Sequence, residues 1–202
     1  MAGYTLINLK ELLEQIGEDR TKVILFDFIC PQNKDVENFF KSKSIEFSKQ
    51  GIAMTFLIFA SFKKKQVLVG YFTLAAKVIT ICRTSLSKNL IKKISKFSQY
   101  DNNMKRYILS APLIGQLAKN YKYKCENLIT GDELLKFACD KVKAIQGEIG
   151  GKVVYLECED KQNLIQFYES NGFVCFGKRR LDKDELGLME GEYLVQLLKY
   201  LH

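Results

Sequence analysis

Leu164-Ile165-Gln166-Phe167-Tyr168-Glu169-Ser170-Asn171-Gly172-Phe173 is the stretch on which the fold turns. Residues 160–170 read as a short helix, Asn171-Gly172 as a turn, and residues 173–176 as a strand. Immediately upstream, KVVYLEC (152–158) is a nearly unbroken apolar run, the pattern of a strand covered on both sheet faces. Before it, residues 131–149 carry Leu134, Ala138, Val142, Ile145 and Ile149 on one helical face, closed by Gly150-Gly151. The start of that helix is marked by Thr130 and Glu133, a T-x-x-E capping box in which each side chain satisfies an unpaired backbone N–H. Strand, helix, strand, helix, strand predicts a crossover unit in a mixed α/β sheet. Ligands in such sheets sit where strands end and helices begin, which points to residues 117–133.

Further outward the signals weaken. Asn8 can cap a helix bearing Leu9, Leu12, Leu13 and Ile16 and stopped by Gly17, so residues 1–22 read as an N-terminal helical extension. VILFDF (23–28) reads as a strand, and Val36, Phe39, Phe40 and Phe47 mark a helix ending at Gly51. The apolar runs 52–59 and 67–74, separated by Lys63, Lys64 and Lys65, predict a hairpin with a charged tip. Leu86, Leu90, Ile94 and Phe97 alternate with Lys88, Lys92, Lys93 and Lys96 on a basic amphipathic helix. Pro112 makes residues 107–118 an irregular or edge strand. EYLVQLLKYL (192–201) fits strand or helix by pattern, with strand preferred.

Composition sets outer bounds. With 47% hydrophobic and 27% charged residues and two prolines, the 202-residue chain should fold as one domain spanning residues 1–202. The N-terminus lacks the features of an export signal and no run approaches a membrane span, so a cytoplasmic location and no membrane partner are expected. Six separated cysteines with no CxxC pair read as reduced thiols, and no metal is expected. The single histidine is His202, which removes serine-histidine-acid triads, cysteine-histidine pairs and histidine metal sites from consideration. Of the net charge of +8, residues 83–124 hold +9, from ten Lys or Arg against Asp101, leaving −1 for the rest. Such a segment is either a solvated face or the contact for an anionic partner such as a phosphorylated cofactor, a nucleic acid or an acidic protein.

PLIGQLAKNY, LITGDELL, VVYLEC and LIQFYESNGF together resemble the core of the GNAT N-acetyltransferases, over residues 106–178, with FY-x-x-x-GF (167–173) the most specific piece. FDFIC, DVENFF, MTFLIFAS and GYFTLA more loosely resemble GNAT-type toxins that acetylate aminoacyl-tRNA. The resemblance implies a mixed, mostly antiparallel twisted sheet with a splayed central strand pair and flanking helices. It also implies acetyl-CoA as cosubstrate and direct transfer of acetyl to an amine.

By the same resemblance, the main chain of Gln116, Leu117 and Ala118 would hold the pantetheine arm. The N–H near Leu117 would polarise the thioester carbonyl, a role worth about 3 kcal/mol in comparable sites. Ile129, Thr130, Gly131 and Asp132 would meet the pyrophosphate at a helix N-terminus. Tyr168 would protonate the departing thiolate, a role that asks for positioning more than for tuning. The family's Q/R-x-x-G-x-G turn appears here as residues 126–131 with only its last glycine, and Asp132 and Glu133 oppose a phosphate that Lys119, Lys122 and Lys124 would attract.

Glu157 and Glu159 are candidate bases for the acceptor amine. The acceptor is open: a small amine, a protein amine, or an aminoacyl-tRNA reached through residues 83–124. A nucleic-acid-binding module on a degenerate GNAT fold, a homodimer, and a complex with a small antitoxin-like protein are also compatible with the sequence.

Overall fold

Gly17 and Asn120 organise the N-terminal half of the chain, and neither sits in a regular element. The computed structural model describes residues 3–181 and 192–201; His202 lies outside them. They form two units, one drawn from residues 1–75 and 115–138, the other from 76–114 and 139–202.

The first unit begins with β1 (Tyr4–Asn8), where a helical extension was expected. Its residues pair antiparallel with β2 (Met54–Phe62), from Tyr4↔Ala60 to Asn8↔Phe56. Asn8 then caps α1 (Leu9–Ile16), its side chain accepting from the Lys10 N–H at 2.9 Å. Gly17, at φ 80°, ends α1 in a conformation that side chains disfavour and starts α2 (Glu18–Phe26).

Residues 23–28 are therefore mostly helical rather than a strand. VILFDF has strand composition, but Glu18 and Asp19 in the first turn favour a helix start. The helix buries Thr21 and Leu25 while Val23 and Phe26 stay 68% and 66% exposed. Tertiary burial at one face decided the element over local propensity.

α3 (Lys34–Asn38), a π turn (Phe39–Lys43) and α4 (Ser44–Gln50) follow, closed by Gly51 at φ 73° as the glycine predicts. β2 then turns through Lys63 and Lys64 into β3 (Lys65–Cys82), confirming the hairpin, with a bulge between Ile58 and Phe59. β3 continues into the second unit, and β5 (Arg106–Lys119) returns from it, giving the order β1-β2-β3-β5 in the first unit.

Phe28, Phe40 and Tyr71 form the centre of this core, with ring centroids 4.1–5.1 Å apart. The Tyr71 hydroxyl donates to the Val36 carbonyl at 2.7 Å, so its burial leaves no unpaired polar end. Beside it Glu37 is buried and accepts from the Cys30 N–H (2.8 Å), Lys34 Nζ (3.1 Å) and Lys41 Nζ (2.8 Å). Desolvation pushes its pKa up, but the bonds from Lys41, Cys30 and Lys34 outweigh it and hold the carboxyl at about 2.

Asn120 follows β5 and is 3% exposed. Its Nδ2 donates to the carbonyls of Leu68 (2.9 Å) and Asp27 (3.3 Å), and its Oδ1 accepts from the N–H groups of Ile29 and Lys122, both at 3.0 Å. Its own N–H donates to the Val69 carbonyl at 2.8 Å. All four side-chain positions are thus used, and one amide joins the exit of α2, the start of β3 and the end of β5.

In the second unit the order is β3-β5-β6-β8-β7, with the short β4 (Gln99–Asp101) on β5. The remaining elements are α5 (Lys88–Ile94), α6 (Gly131–Ile149), β6 (Val153–Glu159), α7 (Gln162–Ser170), β7 (Val174–Arg180) and β8 (Tyr193–Tyr200). β5 and β6 are the parallel pair, joined at Leu113↔Tyr155 and Ile114↔Leu156. β8 is antiparallel to both β6 and β7, so the tail forms a strand over Tyr193–Tyr200, as preferred from its pattern. α5 turns Leu90, Ile91 and Ile94 onto a core of Ile79, Leu109, Val153 and Leu198 and leaves Lys88, Lys92 and Lys93 exposed.

All six cysteines are free. Among the described residues, no helix is long and apolar enough to cross a membrane, and no cluster of three or more His, Cys, Asp or Glu could hold a metal ion.

Replacing Asn120 by Ala should lower stability by about 3 kcal/mol, because it leaves buried N–H and C=O groups unpaired; urea unfolding measures this. For Glu37 the folded pKa lies below the ordinary 4.5, so its contribution is present at neutral pH and is lost as pH falls from about 5 towards 2. Glu37→Gln should flatten the acid limb of stability against pH in that window.

Candidate acyl-transfer residues

The seven cofactor candidates lie in the first unit and Tyr168 in the second. In the first, Gln116 and Leu117 are half-buried and Ala118 is buried on β5. Gly70 on β3 explains how closely the backbone runs here. A Cβ built on it would lie 2.9 Å from the Ala118 carbonyl oxygen and 3.3 Å from Leu134 Cδ1. The missing side chain lets β5 and the first turns of α6 settle against β3, which brings Ala118 and the start of α6 together.

α6 begins as its capping box predicts. The Thr130 N–H donates to Glu133 Oε2 at 2.8 Å, the Thr130 hydroxyl to the same oxygen at 2.9 Å, and the Glu133 N–H to Thr130 Oγ1 at 3.1 Å. Those bonds, with the backbone bond first and the hydroxyl second, lower the pKa of Glu133. Two of the amides that converge on this turn are thus committed to the protein's own side chains. The N–H groups of Gly131 and Asp132 lie outside the box, and Ile129 is buried beneath it.

The turn is braced from below. The Tyr4 hydroxyl donates to the Leu128 carbonyl at 2.7 Å, and its ring meets Phe137 edge-on at 5.4 Å. Lys119 Nζ donates to the Glu126 carbonyl at 2.8 Å, so this lysine is anchored to the loop rather than extended over it.

In the second unit, Tyr168 sits in the last turns of α7. Gly172, at φ 81°, closes the helix: the Phe173 N–H bonds the Tyr168 carbonyl at 3.1 Å and the Gly172 N–H bonds the Glu169 carbonyl at 2.9 Å. The Tyr168 ring is flanked edge-on by Phe167 at 5.0 Å and Phe173 at 6.0 Å. FY-x-x-x-GF is thus a locally self-packed unit that fixes one phenol. Burial, and to a lesser degree Cys158, raises the Tyr168 pKa above that of a free phenol, so it carries its proton at neutral pH. Cys158 is itself pushed up to about 12, by burial first and then by Asp160, Cys175 and Glu159. It is a thiol rather than a thiolate nucleophile.

Glu157 is not placed as a free base. Its Oε2 accepts from Arg179 Nε at 2.6 Å and its Oε1 from Gln196 Nε2 at 2.8 Å, tying β6 to β7 and β8. Glu159 pairs with Lys161 at 3.1 Å. Asn120 escaped the sequence reading entirely, because a lone asparagine after a strand carries no signal of burial.

No family model matches the sequence. No curated protein matches it. Solved structures do. A structure of AtaT complexed with acetyl-methionyl-tRNAfMet aligns with a TM-score of 0.63 and 18% identity, covering 96% of this chain and 94% of that one. A tyrosine-to-phenylalanine variant of KacT aligns at 0.61 and 18%, over 96% and 93%. A structure of AtaTR bound with AcCoA aligns at 0.56 and 14%, over 95% and 91%.

Thr130→Ala should cost about 1 kcal/mol of stability, the usual loss of an N-cap, readable as a lower urea midpoint.

The likeness spans nearly the whole of each chain, and it establishes the expected fold: the protein has the GNAT fold, with a mixed, mostly antiparallel sheet flanked by helices.

Proposed function

We propose that the chain, acting as one GNAT domain over residues 1–202, is an acetyl-CoA-dependent N-acetyltransferase whose acceptor is the α-amine of an aminoacyl-tRNA. The observation that carries this is the end-to-end likeness to a structure that contains an acetylated aminoacyl-tRNA. The aligned structure bound with AcCoA supports the choice of donor. A charge of +9 over residues 83–124, with Arg83, Lys88, Lys92, Lys93, Lys96, Lys105 and Arg106 all exposed in the second unit, supports an anionic acceptor.

In this proposal the main chain of Gln116, Leu117 and Ala118 holds the pantetheine arm of the donor, and the N–H near Leu117 meets the thioester oxygen. The residues fit the donor's phosphates in part. α6 offers the positive end of a 19-residue helix, and Gly131 and Asp132 contribute amides outside the capping box. The Asp132 and Glu133 carboxylates weaken that attraction.

The acceptor nitrogen attacks the carbonyl carbon, the C–S bond breaks, and the thiolate takes the Tyr168 proton. From an ordinary phenol to an ordinary thiolate that transfer is uphill by about 2 kcal/mol, and burial of Tyr168 adds to it. The cost is offset when the proton shed by the attacking amine returns to the phenolate. The role of Tyr168 is therefore to hold one proton at one place, not to be a strong acid.

A second reading, a nucleic-acid-binding module that no longer takes the cofactor, is favoured by the capping box and by the single surviving glycine of the turn. Calorimetry with acetyl-CoA separates the two: measurable heat is expected, and its absence at millimolar cofactor would leave the binding module. Tyr168→Phe should slow acetyl transfer at least about 100-fold while leaving acetyl-CoA affinity within about twofold of wild type. An unchanged rate would remove the tyrosine from the chemistry.

A further inference from the structure

Two turns of the first unit are built from residues that a turn ordinarily avoids. Lys63 and Lys64 have φ of 50° and 62°, and Tyr123 and Lys124 have φ of 53° and 61°. Left-handed pairs of this kind are normally supplied by glycine or asparagine, since a Cβ there is strained. Both positions instead keep long cationic or aromatic side chains. Each turn also holds an exposed ring beside an ammonium: Lys63 Nζ lies 5.3 Å from the Phe62 ring centre and Lys122 Nζ 5.0 Å from that of Tyr123. Tyr123 is 79% exposed and Phe62 39%.

The fold sets the two turns at one end of the unit. β3 starts at Lys65, β5 ends at Lys119, and the Asn120 N–H bonds the Val69 carbonyl. Lys65 is therefore only about 13 Å along its strand from that bond, and Tyr123 is three residues beyond it. Phe26, with its ring exposed, precedes Asp27, whose carboxylate pairs with Lys122. Asp27 is an exposed acid at this end and pairs with Lys122; the Oε2 of Glu126 is buried. Residues 62–65 and 122–124 comprise five lysines, two aromatics and no acid.

We infer that this end of the first unit is a stacking platform for single-stranded RNA, with bases on Tyr123 and Phe62 and phosphates on the flanking lysines. Flat rings interleaved with cations suit unpaired bases on a phosphate backbone, a ligand that presents π faces and negative charge together. A duplex hides its bases and would gain only the charge. The inference rests on the proposed RNA acceptor and adds where on the first unit its unpaired nucleotides would lie.

The test uses the full chain, a fluorescent single-stranded oligoadenylate and a blunt RNA duplex of equal charge, with binding followed by anisotropy. Tyr123→Gly should raise the melting temperature by about 4 °C, because backbone strain is relieved. The same variant should weaken single-strand binding about tenfold and leave duplex binding unchanged. Lys63→Asn with Lys64→Gly should likewise stabilise the hairpin and reduce the salt slope of single-strand binding by about one unit per lost phosphate contact.

A stabilised Tyr123→Gly protein that binds the single strand as wild type does, or loses both RNAs equally, would overturn the platform. So would competition by acetyl-CoA, which would assign the ring to the cofactor's adenine. Acetyl-CoA calorimetry on the same proteins keeps the outcomes apart: cofactor heat with Tyr123-independent RNA binding sinks the platform alone. Tyr123-dependent RNA binding without cofactor heat sinks the transferase alone.

Discussion

One buried amide holds the first unit to its geometry. Asn120 satisfies its side-chain donors and acceptors by gathering the exit of α2, the start of β3 and the end of β5 around itself. The contacts fall where α2 has ended, beside the bulge in the β2–β3 ladder and just past the end of β5. An unpaired group there would cost as much as several surface contacts gain. The position of β5 beside β3 is thus fixed by polar satisfaction as well as by apolar burial, and Gly70 permits the approach that the amide enforces. Everything proposed for Gln116, Leu117 and Ala118 depends on that approach.

Legibility in the sequence followed the range of the forces involved. Elements fixed by local chemistry were readable: the Thr130 to Glu133 capping box, the Gly51 and Gly172 closures, the lysine-tipped hairpin and the run of β6 all appear where the residues imply. Elements fixed by distant partners were not. β1 is a strand because β2 offers it a ladder; the Tyr, Thr and Ile of YTLIN suit a strand, but five residues running straight into the Asn8 cap are easily absorbed into the helix that follows. Residues 23–28 have the β-branched, aromatic composition of a strand, yet they form a helix because the core takes Leu25 and leaves Val23 and Phe26 outside. The short β4 exists only against β5.

The candidate site divides along the same line. FY-x-x-x-GF is a local motif: its helix end, glycine closure and flanking rings lie within a few residues of Tyr168, so its geometry is written into seven positions. The acceptor's base is a distant matter. Glu157 occupies a strand end where sequence alone permits a base, but Arg179 and Gln196, which claim both its oxygens, arrive from strands made later. The glycine-poor turn at residues 126–131 stands between these cases. The protein's own side chains brace it, and the Thr130 and Glu133 amides are taken up by the capping box.

The placement of β8 has a consequence for biosynthesis. It lies between β6 and β7, both of which leave the ribosome before it does. Until β8 arrives, those two strands present unsatisfied edges across an empty lane, and Glu157 has no Gln196 to bind it. The second unit therefore cannot assemble progressively from its N-terminal side. A nascent chain that already contains Tyr168 still lacks β8, so β6 and β7 are joined only once the last-made of the three strands is in place.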